Sequence, residues 1–274
     1  MRFLISLATA VAVSAGVLSS PAQAAPAQPE ALVAAIEDWD CRVTVANPYP
    51  VVLVHGTGGN AQTWAPFVPE LRRAGHCVFA PNYGESGFGL LGIYATAPVR
   101  ESARQLADYV DKVLAETGAE KVSIIGHSQG GMMPRYYLRF LGGAAKVNEL
   151  IGLAPSNHGT ENPFAPIISR LCPACADQIA GSPFMLELNA DRDVEPGVDY
   201  TVLSTRLDEV VTPQASQFLK GPANRVTNIT IQDACPLNLA EHASILIDPV
   251  AWQWTLHALR RKGPASPSFA PVCL

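Results

Sequence analysis

Residues 122–131 read Val122-Ser123-Ile124-Ile125-Gly126-His127-Ser128-Gln129-Gly130-Gly131, and the change of character within this stretch decides the fold. Lys121 to Ile125 reads as a β-strand and Gln129 to Leu141 as a helix, so Gly126-x-Ser128-x-Gly130 is the turn that joins them directly. Such a turn forces its serine into strained backbone angles and leaves the hydroxyl exposed above the sheet, with the helix N-terminus beneath it. A side chain at either flanking glycine would collide with the strand or the helix. Ser128 is therefore the candidate nucleophile. Pro134 cannot donate to the carbonyl of Gly130 and should bend this helix slightly.

Working outward, the same alternation recurs. Upstream, Pro50 to His55 holds a continuous Val-Val-Leu-Val run, as in strands buried on both faces of a parallel sheet. A glycine-rich turn, a helix over Trp64 to Gly75 and a strand from Cys77 to Ala80 follow. From Pro98 to Gly118, Val99, Ala103, Leu106, Val110, Val113 and Leu114 recur at spacings of three and four, which predicts an amphipathic helix with proline at its start and glycine at its end. Downstream, Val147 to Leu153, Tyr200 to Leu203 and Arg225 to Ile231 read as strands, and Pro249 to Arg261 as a closing helix. Strands alternating with helices predict an α/β fold with a parallel sheet and right-handed crossovers. From Pro155 to Pro196 the rhythm is lost, and this stretch reads as an insertion covering one end of the sheet.

The chain has 274 residues and a net charge of −5. Met1 to Ala24 reads as a secretory signal peptide: Arg2 precedes an apolar run from Phe3 to Leu18, and Ala22-Gln23-Ala24 offers small residues for cleavage. What remains, residues 25–274, suits one large domain. Residues 25–48, rich in Ala, Pro and Gln, read as an arm laid over the surface. With 48% hydrophobic and 16% charged residues the chain is not disordered. An acidic pI near 5.7 without a basic stripe argues against a nucleic-acid partner. Beyond the signal no apolar run reaches the ~18 residues that a membrane helix needs. Six cysteines in an exported chain imply disulfides, but six allow 15 pairings and spacing alone does not choose among them. A local, nested pairing is the favoured one. Cys172-Pro-Ala-Cys175 lacks the context of a redox site, and no second CxxC exists to complete a zinc cage.

A serine hydroxyl needs a base to take its proton and an acid to orient that base. After a turn of this kind the order along the chain is serine, acid, histidine. His55, His76 and His127 precede Ser128. The only acid between Ser128 and His158 is Glu149, at the wrong end of the sheet. His257 falls inside the closing helix, whereas His242 lies in the irregular stretch from Cys235 to Ala243, where loops of the catalytic end belong. The acid should follow the strand at Tyr200 to Leu203, which selects Asp208, with Glu209 beside it and Asp233 as further alternatives; Asp191, Asp193 and Asp199 precede that strand. For the oxyanion of a tetrahedral intermediate, the N–H of Gln129 is one donor. The other is Thr57 in His55-Gly56-Thr57-Gly58-Gly59, through its N–H, alone or joined by its hydroxyl.

Gly87-Phe88-Gly89-Leu90-Leu91-Gly92 matches a dinucleotide fingerprint, but it does not directly follow the first strand and the acid expected ~20 residues on would fall within a helix. It reads better as a flexible apolar loop. With Phe164, Ile167, Ile168, Phe184, Met185 and Leu186 it is a candidate lining for an acyl pocket, ordinary packing being the alternative.

Taken together, Val51 to Gly59, Cys77 to Gly84, GHSQGGMMPRYY from Gly126 to Tyr137, Thr205 to Pro213, and Gln232 to His242 resemble the secreted α/β-hydrolase lipases of actinobacteria. The likeness runs from about Asp40 to Ala258. It implies an α/β-hydrolase fold, a mostly parallel sheet with helices on both faces and a small cap insertion at about 155–196. It also implies a secreted, extracellular, monomeric protein that hydrolyses triacylglycerols or related hydrophobic esters, with transient contact at a lipid interface. Ser128, Asp208 and His242 take the triad positions and Thr57 and Gln129 the oxyanion hole. The resemblance supports the pairs Cys41–Cys77, Cys172–Cys175 and Cys235–Cys273, and implies no cofactor and no metal. A short-chain esterase or polyester depolymerase is the rival within enzymes; a secreted binding protein that keeps the fold without turnover is the rival outside them.

Overall fold

The computed structural model describes residues 36–170 and 172–273. The expected signal peptide at 1–24 and the first part of the arm lie outside the described residues. Six strands form one parallel sheet: β1 (Val51–Val54), β2 (Val78–Phe79), β3 (Val122–His127), β4 (Val147–Leu153), β5 (Asp199–Ser204) and β6 (Val226–Thr230), in the order β2-β1-β3-β4-β5-β6. The chain steps outward from β1 to one edge, then returns past β1 and builds to the other.

Helices cover both faces because the strands are apolar on both. Val52, Val54 and Ile124 pack with α2 (Val99–Thr117) and α3 (Gln129–Phe140). Val51, Leu53, Ile125, Ile151 and Leu203 pack with α1 (Val68–Arg73) and, near the C-terminus, α8 (Pro249–Leu259). Each such side chain, wholly removed from water, contributes about 1.5–3 kcal/mol. In α2 the spaced apolar positions form one buried stripe, and Gly118 ends the helix with φ 68° while its N–H bonds to Leu114 O at 2.9 Å. The helix expected over Trp64 to Gly75 is broken into a 3₁₀ turn at Ala61–Trp64 and the short α1. Pro66 and Pro69 have no N–H to give to a continuous ladder. In α3, Pro134 lies within an unbroken helix.

The stretch without rhythm holds three short helices, α4 (Ala165–Ile168), α5 (Pro173–Asp177) and α6 (Pro183–Leu188). α6 is no loose flap. Phe184, Met185 and Leu188 are buried in the core shared with α2 and α3. Arg135 of α3, only 3% exposed, donates to Asp193 O (2.9 Å), Asn157 O (2.7 Å) and Asn189 Oδ1 (2.7 Å). Burial depresses its guanidinium to about 10, and Asp193 nearby partly offsets that. Arg139, one turn on, holds the carbonyls of Leu188 and Arg192 and the Asp191 carboxylate. The short α7 (Ile231–Ala234) follows β6.

All six cysteines are bridged, as Cys41–Cys77, Cys172–Cys175 and Cys235–Cys273. Cys41–Cys77 joins the segment before β1 to the edge at β2, where Trp39 packs on Phe79 with ring centroids 4.8 Å apart. Cys235–Cys273 joins the end of the chain to the segment after β6. Among the described residues no helix is long and apolar enough to cross a membrane.

Candidate active site

The turns after β1, β3, β5 and β6 meet at the carboxyl ends of the strands, the end at which parallel α/β sheets carry their sites. Ser128 sits between β3 and α3 with φ 54° and ψ −120°, a backbone conformation that costs a non-glycine residue of order 1–3 kcal/mol. Two close approaches enforce it. A Cβ on Gly126 would lie 1.8 Å from Gly130 O, and one on Gly130 would lie 2.1 Å from Val54 O. The Ser128 N–H is held by Leu153 O at 2.9 Å.

Ser128 Oγ lies 3.1 Å from His242 Nε2, and His242 Nδ1 lies 2.8 Å from Asp208 Oδ2. A carboxylate oxygen only accepts, so Nδ1 carries the proton and Nε2 is free to accept from the serine hydroxyl. The Asp208 side chain is fully buried and its orientation is fixed by three more donors. Val210 N (2.9 Å) and Val211 N (2.8 Å) bind Oδ1, and Gln217 Nε2 (2.9 Å) binds Oδ2. Glu209 is exposed, with its carbonyl accepting from Asn162 Nδ2. Asp233 pairs at the surface with Arg206. His257 stacks on Phe269 at 4.2 Å, and its Nε2 accepts from Ser266 N. Asp191, Asp193 and Asp199 pair with Arg139, with His158 and with Arg225. None of these alternatives reaches Ser128.

The loops carrying Asp208 and His242 are fastened to each other. Thr205 Oγ1 donates to Ala240 O at 2.5 Å, while the Gln232 amide donates to Thr205 Oγ1 (2.8 Å) and accepts from Arg206 N (3.0 Å). His127, set aside as a base because of its place in the chain, instead braces the loop of His242, its Nε2 donating to the backbone O of His242 at 2.8 Å. Burial, reinforced by the neighbouring His242 ring, pushes its pKa down to about 3, so it remains a neutral donor. His55 is likewise lowered to about 4 by burial; its Nδ1 donates to Gly56 O at 2.9 Å and its ring stacks on Tyr83 at 4.4 Å.

Of the two expected oxyanion donors, Gln129 heads α3, where a first-turn N–H has no intrahelical acceptor. The loop of Thr57 is held against residues 93–95 by Gly58 N to Tyr94 O (2.9 Å) and Tyr94 N to Gly59 O (3.0 Å). The Thr57 hydroxyl is otherwise engaged, donating to Gln129 Oε1 at 2.6 Å and accepting from Gln178 Nε2 at 2.8 Å.

A cleft of about 410 Å³ opens over Ser128 and His242. Phe164, Ala165, Ile168, Val210 and Val211 form its apolar walls. Phe184 and Met185, read as candidate lining, belong instead to the core beneath α6, because they fall on its inward face. Ile167 and Leu186 point outward at 64% exposure, and Leu90 and Leu91 of the glycine-rich loop also stand clear of the cleft. Gln178, Gln217, Gln232 and His127 escaped the sequence reading. A buried amide in or at the end of a helix of about one turn, as at Gln178, Gln217 and Gln232, has no periodicity to betray it. Among the described residues no group of three or more His, Cys, Asp or Glu side chains could hold a metal ion.

Residues 49–183 match the family model described as the alpha/beta hydrolase fold. Triacylglycerol lipases of Pseudarthrobacter phenanthrenivorans and Burkholderia plantarii are each 38% identical over 97 residues, 33% of this chain. The match spans 28% and 25% of their lengths, so the chain aligns with only about a quarter of these curated relatives. Among solved structures, lipase B of Aspergillus fumigatus superposes with a TM-score of 0.70 at 24% identity, over 80% of this chain and 54% of that one. The Bacillus licheniformis lipase BlEst2 in propeptide form gives 0.62 at 18% identity, over 84% and 54%.

Proposed function

We propose, from the α/β-hydrolase fold that this chain carries, that it is a secreted serine hydrolase of carboxylic esters, with triacylglycerols or similar hydrophobic esters as substrates. One observation carries the reading: a strained, buried serine in hydrogen-bond line with His242 and Asp208, at the floor of a cleft with apolar walls. In this mechanism Ser128 Oγ attacks the ester carbonyl as its proton passes to His242 Nε2. Asp208 holds the imidazole in the required tautomer and stabilises its cation. The carbonyl oxygen, now negative, takes hydrogen bonds from the N–H groups of Thr57 and Gln129. Collapse of the intermediate breaks the C–O bond, and the alcohol leaves with the proton from His242. Water, deprotonated by the same histidine, then attacks the acyl-serine, releases the acid and restores Ser128.

The apolar walls favour acyl chains over charged substrates, and the three disulfides support an extracellular setting. The lipase names of the relatives point the same way. The test is hydrolysis of p-nitrophenyl esters with Ser128→Ala as control. The wild type should turn over and take up a fluorophosphonate at Ser128, and the variant should do neither while melting as the wild type does. Turnover retained in the variant would sink the proposal. A rate profile from butyrate to palmitate esters separates a short-chain esterase from a lipase, since only the latter keeps its rate on the long, aggregated esters.

A further inference from the structure

Four polar side chains around the proposed oxyanion hole form a one-way chain of hydrogen bonds. Ser156 Oγ donates to Gln178 Oε1 at 2.8 Å, Gln178 Nε2 donates to Thr57 Oγ1 at 2.8 Å, and Thr57 Oγ1 donates to Gln129 Oε1 at 2.6 Å. The direction is fixed at one end, because Gln178 Nε2 also donates to Ala174 O at 3.1 Å, and a carbonyl can only accept. With Oε1 of Gln178 thereby turned toward Ser156, the Thr57 hydroxyl receives a hydrogen bond and must send its own proton to Gln129. Ser156 N closes the circle on Ser128 O at 3.3 Å. Gln129, Ser156 and Gln178 are 0%, 1% and 8% exposed, whereas Thr57 is half-buried and, with Ser156 and Gln178, borders the cleft.

We propose that Gln178, which caps α5 in the insertion, is a positioning residue for the oxyanion hole, acting through the Thr57 hydroxyl. The inference rests on the ester-hydrolase reading of the same site. Thr57 and Gln129 supply the two N–H donors from separate elements, one from the turn after β1 and one from α3. Their separation is set where their side chains meet. The Thr57–Gln129 bond is that strut, and Gln178 fixes its polarity and its place. Because donors of this kind act only as charge develops on the oxygen, loosening the strut lowers kcat and leaves KM nearly unchanged.

The experiment is a double-substitution cycle on the full chain with a soluble p-nitrophenyl ester. Gln178→Met keeps the length and removes the hydrogen bonds; Thr57→Val removes the hydroxyl and keeps the backbone N–H. Each should lower kcat about tenfold with KM within about twofold, and the double variant should be no slower than the slower single one. Multiplying effects, or a Gln178→Met kcat equal to that of the wild type, would overturn the proposal. Should the methionine variant fold poorly, Gln178→Glu gives a second reading. A carboxylate cannot donate to Thr57 but a carboxylic acid can, so its kcat relative to wild type should recover as pH falls. A ratio independent of pH counts against the assignment. A wild type that neither hydrolyses the ester nor labels at Ser128 sinks the functional reading beneath it, whereas an active wild type with additive variants sinks this proposal alone.

Discussion

Glu149 and Asp208 are both buried carboxyl groups, yet their surroundings differ. Asp208 has four N–H groups turned toward it. Glu149, at the amino-end side of the sheet and 4% exposed, has Ser123 Oγ at 2.9 Å and little else. Desolvation therefore raises its pKa to about 7, the hydrogen bonds from Ser123 and Asn148 only partly opposing the rise. A carboxyl whose folded pKa lies above its unfolded value of 4.5 binds a proton on folding, so the stability it contributes in acid is lost as pH rises from 4.5 to about 7. Glu149→Gln should match the wild type near pH 4 and exceed it at pH 8, by an amount on the order of 3 kcal/mol, measured by urea unfolding across pH. His55, His76 and His127, lowered to about 4, 4 and 3, act in the opposite sense and destabilise the fold as pH falls below 6.5. At this scale the sequence revealed the residues that follow strands, namely Ser128, Asp208 and His242, because chain order and strand ends locate them. It did not reveal Gln178 or Gln217, which stand at the ends of helices of about one turn, too short to show a period, and whose roles depend on contacts with other segments.

Among the elements, the join of β3 to α3 depends on absent side chains. Gly130→Ala would put a methyl 2.1 Å from Val54 O, against backbone that cannot yield without parting β1 from the helix. We expect a loss above about 3 kcal/mol, seen as a failure to accumulate folded protein or as a melting point lowered by about 10 °C or more. β1 was readable as an unbroken aliphatic run, as a sheet covered on both faces favours, the other strands as short Val-, Ile- and Leu-rich segments alternating with helices, and α2 from its stripe. The insertion was not. Its helices are one or two turns long, too short for a period to show, and the turn after α6 is held by Arg135 and Arg139 reaching across from α3, in addition to the burial of Phe184, Met185 and Leu188. Arg135→Met should release this attachment at a cost of about 3–5 kcal/mol, because Asp193 and the carbonyls it served remain buried. Limited proteolysis would then cut first within residues 155–196.

For the molecule as a whole, the three crosslinks are unequal. Cys41–Cys77 and Cys235–Cys273 close loops of 36 and 38 residues, and Cys172–Cys175 closes one of 3. Chain entropy assigns about 4 kcal/mol to each long loop and about 2 to the short one. Paired Cys→Ser replacements should therefore lower unfolding free energy more for either long bridge than for Cys172–Cys175; the reverse order would show that the short bridge stabilises by some other means. The long bridges also stand at the two rims of the sheet, beside β2 and after β6. A rim strand offers an unpaired row of N–H and C=O groups, on which a neighbouring chain can add a strand of its own. Each bridge ties a neighbouring segment beside its rim: Trp39 packs on Phe79 next to Cys41–Cys77, and Pro271 shares a cleft with Asn228, Ile229 and Thr230 next to Cys235–Cys273. We expect a reductant to free both tethered segments at once and to promote strand-to-strand association of chains whose core is still folded, seen as a rise in light scattering with dithiothreitol below the melting temperature.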